Sequence, residues 1–138
     1  MARGYKYMKI PDGRMILSGS EDTEQMELIR WTELIGTRIP QLNMLFHVPN
    51  GGKRNALEAA RFKKMGVRSG VPDLFLPVAA GGFHGFFIEL KVGNNKPTEN
   101  QLRWMQLLRE QGYKTEVCYC ARDAEKALTD YLGIGGQI

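Results

Sequence analysis

The chain has 138 residues, 43% hydrophobic and 25% charged, which suits one compact globular domain and leaves little room for two. No apolar run approaches the roughly 20 residues of a membrane span, and the opening MARGYKYMKIPDG lacks the apolar core of a secretory signal, so a cytoplasmic protein with no membrane partner is expected. The formal net charge of +4 permits a nucleic-acid partner without demanding one, and two cysteines and two histidines set far apart do not match a zinc-finger spacing.

Residues 1–19 are expected to form an arm or hairpin ahead of a single domain over 20–138. IPDG at 10–13 is a turn signal between short strands at 5–10 and 14–17. Ser20 or Asp22 can cap a helix reaching 35 or 36. Its apolar stripe of Leu28, Trp31 and Ile35 also carries Glu24 one turn earlier, and Pro40 blocks any continuation. LNMLFHV at 42–48 reads as a strand, PNGG at 49–52 as a turn, and 53–65 as a basic helix closed by Gly66. Lys53, Arg54, Arg61, Lys63, Lys64 and Arg68 stand in this region against the single acid Glu58.

Strands at 71–76 and 86–92 follow, joined by a connection with Gly81, Gly82 and Gly85 that suits an antiparallel hairpin. Thr98 and Gln101 form a capping box for a helix closed by Gly112, with Leu102, Met105 and Leu107 or Leu108 on its inner face. A strand at 114–120 holds Cys118 and Cys120 as buried, reduced thiols, and a last helix at 123–132 stops at Gly133. Trp31 and Trp104 lie at core spacing, His47 reads as a core or edge histidine, and His84 as an exposed turn residue. The element order gives an α/β domain with a central mixed β-sheet flanked by helices.

One strand breaks its own pattern. In FFIELKV, Phe86, Ile88, Leu90 and Val92 share one face, which puts Phe87, Glu89 and Lys91 on the other. Asp73 alternates with Leu74 and Leu76 on the partner strand, so a paired hairpin lets Asp73 reach Glu89. Two close carboxylates repel unless a proton, a cation or a positive side chain stands between them. An oxygen-only ligand set without thiolate favours Mg²⁺ or Mn²⁺. Glu24 is the candidate third carboxylate, and Lys91 is placed to orient a water or offset charge on a phosphorus centre. Asn50, Lys53, Arg54, Arg61, Lys64 and Arg68 are the candidates for phosphate contact. The rival reading is a cross-strand ion pair worth about 0–1 kcal/mol beside a solvated basic helix.

The segments HVPNGG (47–52), GVPDLFLP (70–77), GGFHGFFIELK (81–91) and PTENQLRW (97–104), in that order, resemble the VRR-NUC family of the PD-(D/E)XK nuclease superfamily. The motif stands as Pro72-Asp73 followed by Glu89-Leu90-Lys91, and the resemblance runs from about residue 21 to 132. It implies a restriction-endonuclease-like core and a Mg²⁺- or Mn²⁺-dependent deoxyribonuclease acting in replication, recombination or repair, of a kind found as small stand-alone phage proteins. It further implies that Asp73, Glu89 and the Leu90 carbonyl bind the metal, that Glu24 completes the site, that Lys91 is the motif lysine, and that Gln101 touches the site or the scissile phosphate. A homodimer cutting branched DNA in the manner of a Holliday junction resolvase is the expected assembly and substrate. The alternatives are a catalytically silent nucleic-acid-binding module and a flap or end-processing nuclease.

Overall fold

The computed structural model describes residues 4–49 and 55–135. A small antiparallel hairpin comes first: β1 (Lys6–Lys9) and β2 (Met15–Ser18), paired from Lys6 opposite Ser18 to Lys9 opposite Met15. Helix α1 (Glu21–Ile35) follows, with Ser20 as its N-cap accepting a hydrogen bond from the Thr23 amide. Next come a 3₁₀ turn (Pro40–Met44), β3 (Phe46–His47), α2 (Ala56–Lys64), β4 (Leu74–Leu76), β5 (Phe86–Leu90), α3 (Glu99–Glu110), β6 (Lys114–Cys118) and α4 (Ala121–Leu132).

The main sheet has the order β3-β4-β5-β6. β3, β4 and β5 run antiparallel in sequence, while β5 and β6 are parallel and joined through α3. This is the expected mixed sheet with flanking helices. One face of the sheet presents Leu74, Leu76, Phe86, Ile88 and Leu90 to Leu28 of α1 and to Ala124 and Leu128 of α4. The alternation inferred for β5 therefore holds on its apolar side: Phe86, Ile88 and Leu90 are buried. On the opposite side Phe87 stacks on Phe75, ring centroids 4.1 Å apart, and α3 packs along β6.

Three boundaries differ from expectation. Residues 42–48 are not one strand. Pro40 sits at the start of a 3₁₀ turn, its fixed φ suited to that position. Asn43 then donates to the Gly36 carbonyl at 3.0 Å, satisfying a group that the end of α1 leaves open. Only Phe46 and His47 pair as a strand. The C-terminal strand stops at Cys118, because Cys120 is the N-cap of α4, its sulfur accepting from the Asp123 amide at 3.4 Å. Both thiols are buried, and burial pushes the Cys118 thiol well above its usual range. The third difference concerns the central hairpin, where Asp73 lies just before β4 and Lys91 just after β5.

Gly36 closes α1 with ordinary helical dihedrals (φ −59°, ψ −17°), so its backbone alone does not demand glycine. A Cβ there would land on the Asn43 side-chain oxygen and the Thr32 carbonyl oxygen. Gly36→Ala is therefore expected to cost about 1–3 kcal/mol by overpacking, read as a lower denaturation midpoint in urea. An unchanged midpoint would show that the α1–3₁₀ junction yields without strain.

Candidate active site

The site grows from the place where the β4–β5 ladder ends. The last pair is Leu74 opposite Ile88. One step further in the same register, Asp73 faces Glu89. Pro72, fully buried, has no N–H to extend the ladder. The Leu90 amide instead donates to Asp73 Oδ2 at 2.9 Å. The main chain of Asp73 is held from the other side: its carbonyl accepts from the Val48 amide at 2.7 Å and lies 2.9 Å from His47 Nδ1. His47 thus positions the aspartate backbone from the edge of the sheet.

Glu89 is 1% exposed. The carboxylate is enclosed, whereas the rival ion-pair reading would leave it at the surface. Its Oε1 accepts from Gln101 Nε2 at 3.3 Å, while Oε2 is buried with no hydrogen-bond partner among the described residues. Loss of hydration pushes the Glu89 carboxyl far above its ordinary range. The charge of Asp73 adds to that rise, and the Lys91 ammonium opposes it. A buried, unsatisfied anionic oxygen is costly, so the arrangement calls for a proton or a cation.

Gln101 serves two structures at once. Its Oε1 accepts from the Thr98 amide at 2.9 Å, and its own amide donates to Thr98 Oγ1 at 3.2 Å, which completes the capping box of α3. With the carbonyl end so occupied, the NH₂ end is left for Glu89. The adjacent Asn100 donates to the Ser69 carbonyl and hydroxyl, both at 2.8 Å, tying the segment before Pro72 to the same helix start.

Glu24, the expected third carboxylate, has both oxygens engaged by backbone amides. Glu24 is buried, but its Oε2 accepts from the Gly19 amide at 3.1 Å and its Oε1 from the Ala121 amide at 3.0 Å. Oε1 ties α1 to the start of α4 and Oε2 ties it to the segment entering α1, and the structure does not bring Glu24 to the Asp73–Glu89 pair. Glu21, one turn earlier, is the α1 acid that feels the site. Burial raises its carboxyl pKa, Lys91 lowers it and Asp73 raises it again. Spacing could not separate the two, since 21, 24 and 28 follow one helical stripe. The available signal was position: Glu21 follows the Ser20 cap directly.

Lys91 is half-buried, its amide donating to the Cys118 carbonyl at 2.9 Å. Arg61 and Lys64 are exposed on α2, which buries none of its residues, and Arg68 is exposed beyond it. Asn50, Lys53 and Arg54 lie outside the described residues.

Among the described residues no three His, Cys, Asp or Glu side chains converge as a ready-made cage for a metal. The pair does fit Mg²⁺. That ion keeps several waters and is commonly held by one or two carboxylates together with substrate phosphate. The orphaned Glu89 oxygen beside Asp73 supplies such a nucleus. No helix is long and apolar enough to cross a membrane among the described residues.

Comparison with known proteins bears on the family and the fold. A solved structure described as a VRR_NUC domain protein superposes with a TM-score of 0.70 at 30% identity, covering 84% of this chain and 90% of that one. A comparison with curated proteins gave no match. The model of the VRR-NUC domain, a nuclease-type fold, matches residues 22–122. The chain belongs to the VRR-NUC family.

Proposed function

We propose that the chain is a divalent-metal-dependent DNA endonuclease that hydrolyses phosphodiester bonds, acting as a homodimer on branched DNA in replication, recombination or repair. The observation that carries this reading is buried Glu89 beside half-buried Asp73, with one oxygen of Glu89 unsatisfied and Lys91 nearby. Asp73, Glu89 and the Leu90 carbonyl would hold Mg²⁺ or Mn²⁺, with Glu21 rather than Glu24 as the additional carboxylate. When bound, the cation supplies charge neutralisation at the phosphate and a water of lowered pKa.

The residues divide the remaining work. Lys91 donates hydrogen bonds to the attacking water or to a non-bridging phosphate oxygen, stabilising the charge that grows on phosphorus. Gln101, fixed by its capping box, holds Glu89 in orientation. The water oxygen bonds to phosphorus, one P–O ester bond breaks, and the leaving oxygen takes up a proton. Arg61, Lys64 and Arg68, with Asn50, Lys53 and Arg54, hold the anionic backbone outside this centre.

Cleavage of a labelled four-way junction, with linear duplex and flap controls, tests the reading directly. Cutting is expected in Mg²⁺ or Mn²⁺, none in EDTA, and a loss of roughly 100-fold or more in Asp73→Ala, Glu89→Ala and Lys91→Ala. Binding without cleavage of any substrate would leave a binding module, and preference for the flap would make it an end-processing enzyme.

The two α1 acids should separate in a paired comparison. Glu24→Gln replaces a charged acceptor of two backbone hydrogen bonds and should lower stability by about 1–3 kcal/mol. Glu21→Gln should leave the urea midpoint nearly unchanged but raise the Mg²⁺ concentration needed for half-maximal cutting. The reverse pattern would return Glu24 to the metal site.

Glu89→Gln offers a test without turnover. A carboxyl whose folded pKa is raised contributes full stability below its unfolded pKa, and that stability is lost as pH rises towards the folded value. In EDTA the variant should therefore melt higher than wild type at neutral and alkaline pH, with the gap closing near pH 4. Added Mg²⁺ should raise the melting temperature of wild type and not of the variant. A gap that stayed constant with pH would mean that Glu89 is not the strained acid.

A further inference from the structure

We propose that the β1–β2 hairpin and the loop following Lys91 form a basic groove that holds the DNA sugar-phosphate backbone to one side of the scissile phosphate. This rests on the nuclease reading above. It gives a substrate-binding role to a segment that precedes the residues matched by the family model.

The hairpin is fixed to the body of the protein at three points. Ile10 is 2% exposed. The Arg14 guanidinium reaches both oxygens of Asp123 on α4, at 3.0 and 2.8 Å. Met8 lies against Gly93, its sulfur 3.1 Å from where a Cβ would project. Gly93, at φ +59°, gives both the left-handed turn and the room for Met8. The hairpin is thus seated on the turn that begins two residues after Lys91.

Between hairpin and turn lies a groove of about 360 Å³ lined by Lys9, Ile10, Pro11, Asn94 and Lys96. Its lining holds two ammonium groups, one amide and no carboxylate. The nearby Asp12 is turned to Arg14, at 2.8 Å. Lys9 and Lys96 are exposed and make no ion pair among the described residues. Two cations without an ion-pair partner in one groove complement a polyanion. The chain from Lys91 to Lys96 can span at most about 18 Å. With a rise of about 3.4 Å per nucleotide, the groove meets the strand within roughly five nucleotides of the cut.

The test is DNA binding in EDTA, followed by fluorescence anisotropy over a series of salt concentrations. Lys9→Gln/Lys96→Gln is compared with Arg122→Gln/Lys126→Gln, an equal loss of charge on α4. For duplex arms the first pair should weaken binding roughly tenfold and flatten the salt dependence by about 1.8 in log–log slope, while the second changes neither. Equal effects from both pairs, or none from the first, would overturn the groove. A second measurement places a photo-crosslinker on Asn94→Cys; both native cysteines are buried and do not compete for the label. Capture of DNA within about five nucleotides of the cleavage site is expected, and capture only further away counts against the groove. If wild type cuts a junction while the Lys9/Lys96 variant binds normally, only the groove fails. If wild type neither binds nor cuts any DNA, the nuclease reading fails first and takes the groove with it.

Discussion

The hydrogen bond from the Leu90 amide to Asp73 Oδ2 is the constraint on which the site depends. Leu90 is buried, so its N–H must find a partner within the protein. The β4–β5 pairing ends at Leu74 opposite Ile88, and beyond it the Asp73 carboxylate takes the place of a main-chain acceptor. The consequence is electrostatic. Asp73 is drawn to the end of β5, where Glu89 already stands in an enclosed position, and neither acid can move away without exposing a main-chain donor or breaking the sheet. A strand terminus has become a fixed pair of like charges.

The other elements meet this pair by their ends. α3 starts beside Glu89 and directs Gln101 at it, because the capping box fixes the opposite end of that amide. α1 starts with Glu21 near Lys91 and Asp73. Glu24 keeps α1 in place from behind by accepting the Ala121 amide, one of the donors that the first turn of α4 cannot satisfy for itself. This is a structural use of a buried carboxylate: two backbone hydrogen bonds compensate its burial, whereas Glu89 has one partner and one empty oxygen. The contrast between the two glutamates separates an acid that builds the fold from one that the fold holds under strain.

Much of this was legible in the residues because it rests on local rules. The Thr98–Gln101 capping box, the stop at Gly133 and the alternation of Phe86, Ile88 and Leu90 follow from short-range geometry, and the structure has them. The approach of Asp73 to Glu89 was legible for a related reason: charged residues on paired strands are conspicuous, and the register brings them together. What stayed hidden depended on tertiary partners. LNMLFHV has strand-like composition, but the Asn43 bond to Gly36 draws its first half into a 3₁₀ turn. Glu21 and Glu24 share a helical stripe, and only the approach of Gly19 and Ala121 to Glu24 assigns them apart. The burial of Glu89 was equally out of reach, since period-two alternation says which face a residue takes and not how well that face is covered.

The charge distribution carries one further consequence. The chain is basic overall, with positive residues on exposed α2 and in the groove beside the hairpin, yet buried Glu89 has a second acid, Asp73, beside it. Left alone, two carboxylates in a poorly hydrated pocket oppose an incoming phosphate. At 4 Å and an effective dielectric constant near 20, a single pair of unit charges is worth about 4 kcal/mol. Basic surroundings lower the barrier to approach without removing this local repulsion. Under the nuclease reading, Asp73 and Glu89 would hold a divalent cation that offsets this repulsion, and phosphate oxygens would supply ligands that the protein leaves short. Under the nuclease reading, each of the two therefore improves the site for the other, and linkage makes that coupling equal in both directions. The sparse ligand set then has a physical rationale. A full cage of acids would hold the cation without DNA, whereas a strained pair with an empty oxygen holds it best when substrate is present.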